Sequence, residues 1–549
     1  MNFRNIVSSN KKTAGIIALV VILVYGQTVF FDFVHLDEDD LIIGNQSFIS
    51  SFKNFFEVFK HDVNFPSGFS PYYRPILTLS FMADAFVGGL SPFYYHFTNL
   101  ALHIAASALV FYLLLSLGYN SKVSLFLSLI FSVHPVLNQA VAWVPGRNDS
   151  LLAVFILLSL ILFIKFTEKP SFLVFAGHAV FFTLAIFTKE TAVVFPLILA
   201  AFVYFFKKKF WVSRYAIVLC LSSIAIWHFL RQAVLTTKDQ AVYGIGEMIF
   251  KHFPATLVYL GKVVVPYGFS VLPTLKDSSL WFGVISLLVL IFLLYKNGIS
   301  RKMFFGLFWF LLFLLPSLIS YDYESRVVFF EHRLYLPLVG FLIVLAEIQW
   351  SRVFTLSGNK VITTQVLVVI TLSALSLVNL RHFKNRFSFW QSAVANSPNL
   401  ARAHSGLGSA YLVQNETVKA REEYVRALNL NSQEKKVHNN LGVLYSNEKK
   451  WLMAEEEFKK EIEINSLYEA VYYNLGRLYA VNGRFKEAEI YWLKSLELKP
   501  DYIKSHQDLA VYYFQIKSYD KSLYHINEII KYNAPLLPEL SKVKSLLEK

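Results

Sequence analysis

Residues 13–31 read TAGIIALVVILVYGQTVFF, an uncharged run directly behind Lys11-Lys12 and close to the roughly twenty residues that cross a bilayer. Its far end, Phe30-Phe31-Asp32-Phe33, lacks the small residues that a signal peptidase needs, so the run is expected to remain as an anchor. Comparable apolar runs follow near 94–117, 122–138, 150–166, 171–188, 190–206, 212–230, 281–295, 303–319, 334–350 and 361–379. The 549-residue chain is 55% hydrophobic and only 16% charged, with 52 Phe, whereas soluble domains carry about a quarter charged residues. A single soluble domain is excluded. The expectation is an all-α protein whose membrane part is a polytopic bundle of about eleven helices.

Charge sets the expected orientation. The net charge is +14, but residues 391–549 hold 22 Lys and Arg against 20 Asp and Glu, so the excess belongs to the apolar part. It gathers at Lys11-Lys12, Lys207-Lys208-Lys209 and Lys296 to Lys302, between apolar runs, as in cytoplasmic loops. Nucleic acid is therefore not an expected partner. With a cytoplasmic N-terminus, residues 32–92 form a first extracytoplasmic loop. Segment 250–273 carries Lys251, Lys262, Pro254 and Pro266 and either spans or re-enters; Lys296, Arg301 and Lys302 fall inside only if it does not span. Cys220 is the sole cysteine, which rules out an intramolecular disulfide.

After Trp390 the text becomes amphipathic and periodic. Leu407-Gly408, Leu441-Gly442, Leu475-Gly476 and Leu509-Ala510 recur every 34 residues, with Tyr411, Tyr445, Tyr479 and Tyr513 and then Ala420, Ala454, Ala488 and Ser522. Bulky residues follow each small position at Tyr424, Phe458, Trp492 and Ile526. This is the tetratricopeptide period, predicting four helix pairs stacked as an α-solenoid with a capping helix from Pro538. The chain thus divides into a membrane domain at 1–390 and an extracytoplasmic repeat domain at 391–549, which suits binding of extended peptides.

On the assigned topology the costly polar groups share the extracytoplasmic side. They are His35 with Asp37, Glu38, Asp39 and Asp40; Tyr72-Tyr73-Arg74; His134; Arg147-Asn148-Asp149; Lys189-Glu190; and Glu331-His332-Arg333. Any one of these alone would be an interfacial anchor, and the acids alone a solvated helix end. Together they suit a wet cavity, because ionisable groups at membrane level face protein or water instead of lipid. Arg and Lys suit a phosphate and a neighbouring carboxylate suits a general base. The histidines and acids have no recognised metal-ligand spacing, so no metal is assigned and a divalent cation is not favoured. Phosphate-binding Gly loops, nucleophile elbows and CxxC pairs are missing.

Phe33-Val34-His35-Leu36-Asp37-Glu38-Asp39, Tyr73-Arg74-Pro75-Ile76-Leu77-Thr78, Gly89 to His96 with Asn99 and His103, His134-Pro135-Val136 through Trp143 to Arg147 and Asp149, Thr188-Lys189-Glu190 and Arg333-Leu334-Tyr335-Leu336-Pro337 resemble the transmembrane and tetratricopeptide-repeat O-mannosyltransferases and their bacterial relatives. The resemblance implies a C-type glycosyltransferase fold with an extracytoplasmic active site and a polyprenyl-phosphate sugar, mannose by analogy, as donor substrate. It implies a catalytic Asp-Glu pair at Asp37 and Glu38 with Asp37 as general base, and Asp39 as the alternative base because the run here is Asp-Glu-Asp-Asp. It places Arg74, Arg147, Lys189 and Arg333 at basic positions suited to the donor phosphate and lipid, without choosing among them. His35, Tyr73, His96, His134, Asp149, Glu190 and Glu331 are expected around the substrate cavity.

The function expected is inverting transfer to Ser or Thr hydroxyls of exported proteins, with the acceptor polypeptide held by the repeats, in a multi-pass protein of a bacterial inner membrane. An envelope lipid or polysaccharide is an alternative acceptor. A non-catalytic scaffold would need only one anchor. A flippase for lipid-linked sugars would line both sides of the bundle.

Overall fold

The computed structural model describes residues 11–65, 70–208, 210–235, 245–318, 329–349, 358–532 and 535–547. Lys209, Ile319 and Trp350, which the expected loops and spans include, lie outside the described residues. All the elements among the described residues are helical. The chain folds as two compact units, one reaching Ser397 and the other running from Pro398 and including Gly44–Phe48 of the first loop.

The first unit contains α1 (Lys11–Tyr25), α2 (Pro75–Gly88), α3 (Pro92–Ser116), α4 (Ser121–Val133), α5 (Asn138–Ala142), α6 (Arg147–Glu168) and α7 (Phe172–Thr188). It continues with α8 (Phe195–Phe205), α9 (Phe210–Val234), α10 (Ile245–Val264), α11 (Trp281–Asn297), α12 (Arg301–Leu318), α13 (Tyr335–Glu347), α14 (Gly358–Leu380) and α15 (Arg386–Asn396). Every expected span has a helix. Among the described residues six are by themselves long and apolar enough to cross a membrane, and a seventh arises if α4 and the helix Pro135–Ala142, bent by 51°, act as one. The others are shorter, because polar junctions interrupt the apolar text: His134-Pro135 after α4, and Lys189-Glu190 between α7 and the short turn leading into α8. Backbone that leaves helical geometry at membrane depth is tolerated only where protein or water covers it. The ambiguous segment forms α10, which contains Pro254 and is not among the long apolar spans. One helix goes beyond expectation: α2 lies in what reads as a polar loop, started by Pro75 at its first turn.

Helix contact in this unit uses small residues where hydrophobic burial gives no preference over lipid. At the α12–α13 crossing a Cβ on Gly340 would stand 2.6 Å from Gly306 O and from Phe310 N.

In the second unit, α16 (Ala401–Val413) to α23 (Tyr519–Lys531) are the eight helices of four repeats, each second helix packing on its first. Close approach is what the 34-residue pattern encodes: a Cβ on Gly408, Gly442 or Gly476 would clash with the rings of Tyr424, Phe458 or Trp492. Polar partners repeat in the same register, buried for His404 with Glu423 at 2.6 Å and His506 with His525 at 2.8 Å and partly buried for His438 with Glu457 at 2.6 Å. The last helix, α24 (Pro538–Leu547), buries Leu540 against Ala510, Ile526 and Ile529, as a solenoid cap should.

Candidate active site

The interrupted helix ends of the first unit surround a cavity of about 280 Å³. Its walls include Asp37 from the first loop, Tyr72, Tyr73 and Arg74 before α2, Asn148 and Asp149 from the first turn of α6, and Lys189 and Glu190 at the α7–α8 break. Trp227 and Arg231 of α9, Ser317 of α12, and Phe330, His332 and Arg333 close it.

Within this wall the charges are organised in pairs. Arg74 makes a bidentate fork with Glu190, Nε donating to Oε2 at 2.9 Å and Nη2 to Oε1 at 2.5 Å, while its guanidinium lies over the Tyr72 ring. Lys189 Nζ donates to both oxygens of Asp149, at 2.8 and 2.7 Å, and to Asn148 Oδ1 at 3.0 Å. Such pairs satisfy groups whose isolated burial would be costly. His332 Nε2 is 3.6 Å from Asp149 Oδ2, and its Nδ1 donates to Gln139 Oε1 at 3.1 Å, which fixes the ring. Trp143, Phe330 and His332 pack as an aromatic group on this side. Arg333 donates to Ser317 O at 3.2 Å and Arg231 to Pro71 O at 3.2 Å.

Seven of the expected residues therefore meet around one cavity: Asp37, Tyr73, Arg74, Asp149, Lys189, Glu190 and Arg333. Seven do not line it. Arg147 is wholly buried and committed inward, to Asp84 at 2.5 Å, Asn99 Oδ1 at 2.7 Å, Tyr95 O at 2.7 Å and Ser80 O at 3.2 Å. Its guanidinium ties α2, α3 and α6 together and does not face the cavity. Glu331 is buried against Lys262 and also accepts from Ser270 N–H. His134 accepts the Val136 N–H on Nδ1 and donates from Nε2 to Val263 O, a backbone role at the α4–α5 bend. His96 is buried beside Phe31.

The acidic run separates its members by local geometry. His35 takes a left-handed backbone conformation (φ 58°), sparsely populated for a non-glycine residue, and its Nδ1 meets Asp39 Oδ1 at 2.6 Å. Glu38 turns inward, accepting from Leu36 N–H at 3.0 Å, and burial pushes its carboxyl up to about 7. Asp37, between them, is the member of the run on the cavity wall.

Arg231 and Trp227 are not singled out by the sequence, and Asn148 enters it only as part of Gly146-Arg147-Asn148-Asp149. Arg231 directly follows the expected span 212–230 on its extracytoplasmic side by parity, a signal that a lone interfacial arginine does not raise above the ordinary. Among the described residues no three His, Cys, Asp or Glu side chains gather as a metal site.

Fold and cavity together define a polytopic, all-helical membrane protein with a charged pocket built at helix breaks and a tetratricopeptide array. Residues 96–230 match the family model described as dolichyl-phosphate-mannose-protein mannosyltransferase, and residues 469–502 match the tetratricopeptide repeat model. The chain is similar to protein O-mannosyl-transferase TMTC2 of Homo sapiens, 40% identical over 102 residues, which is 18% of this chain and 12% of that protein. It is also similar to tmtc2 of Xenopus laevis, 34% identical over 147 residues, 26% of this chain and 18% of the relative. The matches thus span less than a fifth of these relatives' length. A solved structure described as a functional characterization of Pseudomonas aeruginosa pilF is 22% identical, covering 29% of this chain and 72% of its own at a TM-score of 0.27.

Proposed function

We propose that the chain is an inverting membrane glycosyltransferase that moves a hexose, mannose by similarity, from a polyprenyl-phosphate donor to Ser or Thr hydroxyls of exported proteins. The observation that carries this reading is the meeting of Asp37 with Arg74, Lys189, Arg231 and Arg333 around one cavity in a chain similar to protein O-mannosyl-transferases. The Asp37 carboxylate takes the proton of the acceptor hydroxyl as its oxygen attacks the anomeric carbon. The bond from that carbon to the phosphate oxygen breaks, and the lipid phosphate leaves with the electron pair, its charge met by cationic side chains already in place. Attack opposite the leaving group inverts the anomeric centre. Asp37 is favoured over Asp39 because Asp37 lines the cavity and Asp39 does not.

The membrane domain at 1–390 would hold the donor, and the repeat domain at 391–549 would present the acceptor polypeptide. The cavity would open on the extracytoplasmic side of a bacterial inner membrane, with the N-terminus cytoplasmic. Mass spectrometry of exported proteins and envelope lipids from cells carrying wild type or Asp37→Asn, at matched expression, tests the reading. Loss of a hexose from Ser and Thr peptides in the variant is expected, with transfer reduced about 10²–10⁴-fold, the usual contribution of a positioned base. Unchanged peptides with altered envelope lipids would move the acceptor, and no change in either would remove the enzymatic reading.

A further inference from the structure

We infer that Arg231 and Arg333 form the anion seat of this cavity, the place where one phosphate group of a lipid phosphate docks, while Arg74 and Lys189 hold the walls. This rests on the donor class proposed above. Arg74 is saturated along its Nε–Nη2 edge by both oxygens of Glu190, and Lys189 by both oxygens of Asp149 plus Asn148. A phosphate approaching either cation would meet a carboxylate at the same time. Breaking a buried pair to free the cation would leave that carboxylate uncompensated, which makes the paired groups poor ligands for a second anion.

Arg231 and Arg333 differ. Each donates to a main-chain carbonyl, Pro71 O and Ser317 O, and among the described residues neither forms a direct ion pair with a carboxylate; Arg333 also meets the Tyr259 hydroxyl and feels the Asp149 charge at longer range. A carbonyl orients a guanidinium without cancelling its charge. Each also lies beside an aromatic ring, Arg231 near Trp227 at 5.9 Å and Arg333 near Phe330 at 5.7 Å, and both rings line the cavity. Two guanidinium groups bordering one cavity, each with five N–H donors and no direct carboxylate pair among the described residues, suit the oxygens of a phosphate. They come from different elements, α9 and the turn before α13, so the seat needs the folded bundle.

The test uses the full chain in nanodiscs and three probes: farnesyl phosphate, farnesol and inorganic phosphate. Binding is read by quenching of tryptophan emission, for which Trp143 and Trp227 sit on the cavity, and by ligand displacement. Wild type is expected to bind farnesyl phosphate at least tenfold more tightly than farnesol. Arg231→Gln and Arg333→Gln should each remove most of that preference and leave farnesol binding unchanged, Arg231→Lys should keep part of it, and Arg214→Gln on the same helix should keep all of it. Equal loss with inorganic phosphate would assign the seat to free phosphate as well as lipid phosphate, and no response to inorganic phosphate would assign it to the lipid form. Retention of the full preference in both glutamine variants overturns the seat. Loss of farnesol binding together with the phosphate preference also overturns it, because the arginines would then be shaping the cavity. If the preference follows the arginines but no glycan depends on Asp37, the seat stands and the enzymatic reading falls.

Discussion

Glu38 and Arg147 are buried ionisable side chains that face away from the cavity, and each makes a prediction about stability instead of transfer. Glu38 is buried and its carboxyl is raised to about 7, chiefly by loss of water and secondarily by the neighbouring acids Asp37 and Asp39. The folded state therefore binds this proton more tightly than the unfolded chain, so the group costs stability progressively as pH rises from about 4.5 to about 7 and nothing further above that. Glu38→Gln should remove the decline: its apparent Tm in detergent should match wild type near pH 4.5 and exceed it at pH 8. An equal offset at both pH values would contradict this. Arg147 stands opposite Asp84 with neither exposed, so Arg147→Met should destabilise by about 3–5 kcal/mol through an orphaned carboxylate. Adding Asp84→Asn should recover much of the loss in a thermal-unfolding series. Its sequence context, Gly146-Arg147-Asn148-Asp149, gives no hint of this role, because the partner lies in a helix 63 positions earlier that the polarity of the first loop concealed. The same motif's Asp149, two residues along the same helical turn, does reach the cavity.

At the scale of elements, what the sequence makes legible follows from periodicity. The 34-residue spacing specifies each repeat's close-packed pair down to the Gly–aromatic contact, since only Gly leaves room for the ring of Tyr424, Phe458 or Trp492. Membrane runs are legible for the same reason of uniform composition. Breaks are harder, because Lys189-Glu190 reads as a loop end while the chain resumes helical geometry within a residue. The missed arginine on α9 has a related cause: an Arg at the end of an apolar run is ordinary until the fold shows a cavity beside it. The α12–α13 crossing supplies a sharp test. Gly340→Ala would push its Cβ into the backbone of Gly306 and Phe310, and should cost about 1–3 kcal/mol, read as a lowered midpoint of thermal unfolding. An unchanged midpoint would mean that the two helices are not held at this distance.

For the molecule as a whole, the division into two compact units near Ser397 lies close to the chain's change of composition, so truncation there tests whether their proposed roles separate. A chain ending at Ser397, expressed to the same membrane level as wild type, should retain binding of farnesyl phosphate and lose glycosylation of exported proteins. Retained protein glycosylation would remove the proposed acceptor role of the repeats. Retained lipid glycans with lost protein glycans would place the repeats on the acceptor side of the reaction.

The adjoining residues Lys189 and Glu190 reach in different directions, one to Asp149 of α6 and the other to Arg74 ahead of α2. Two neighbours in sequence are thereby bound by inheritance to two distant positions. A charge reversal at 189 or 190 can be tolerated only alongside a matching change at 149 or 74, so these four sites should drift as two linked couples among descendants of this chain, and a lone exchange at any of them should mark a lineage whose pocket no longer holds its shape.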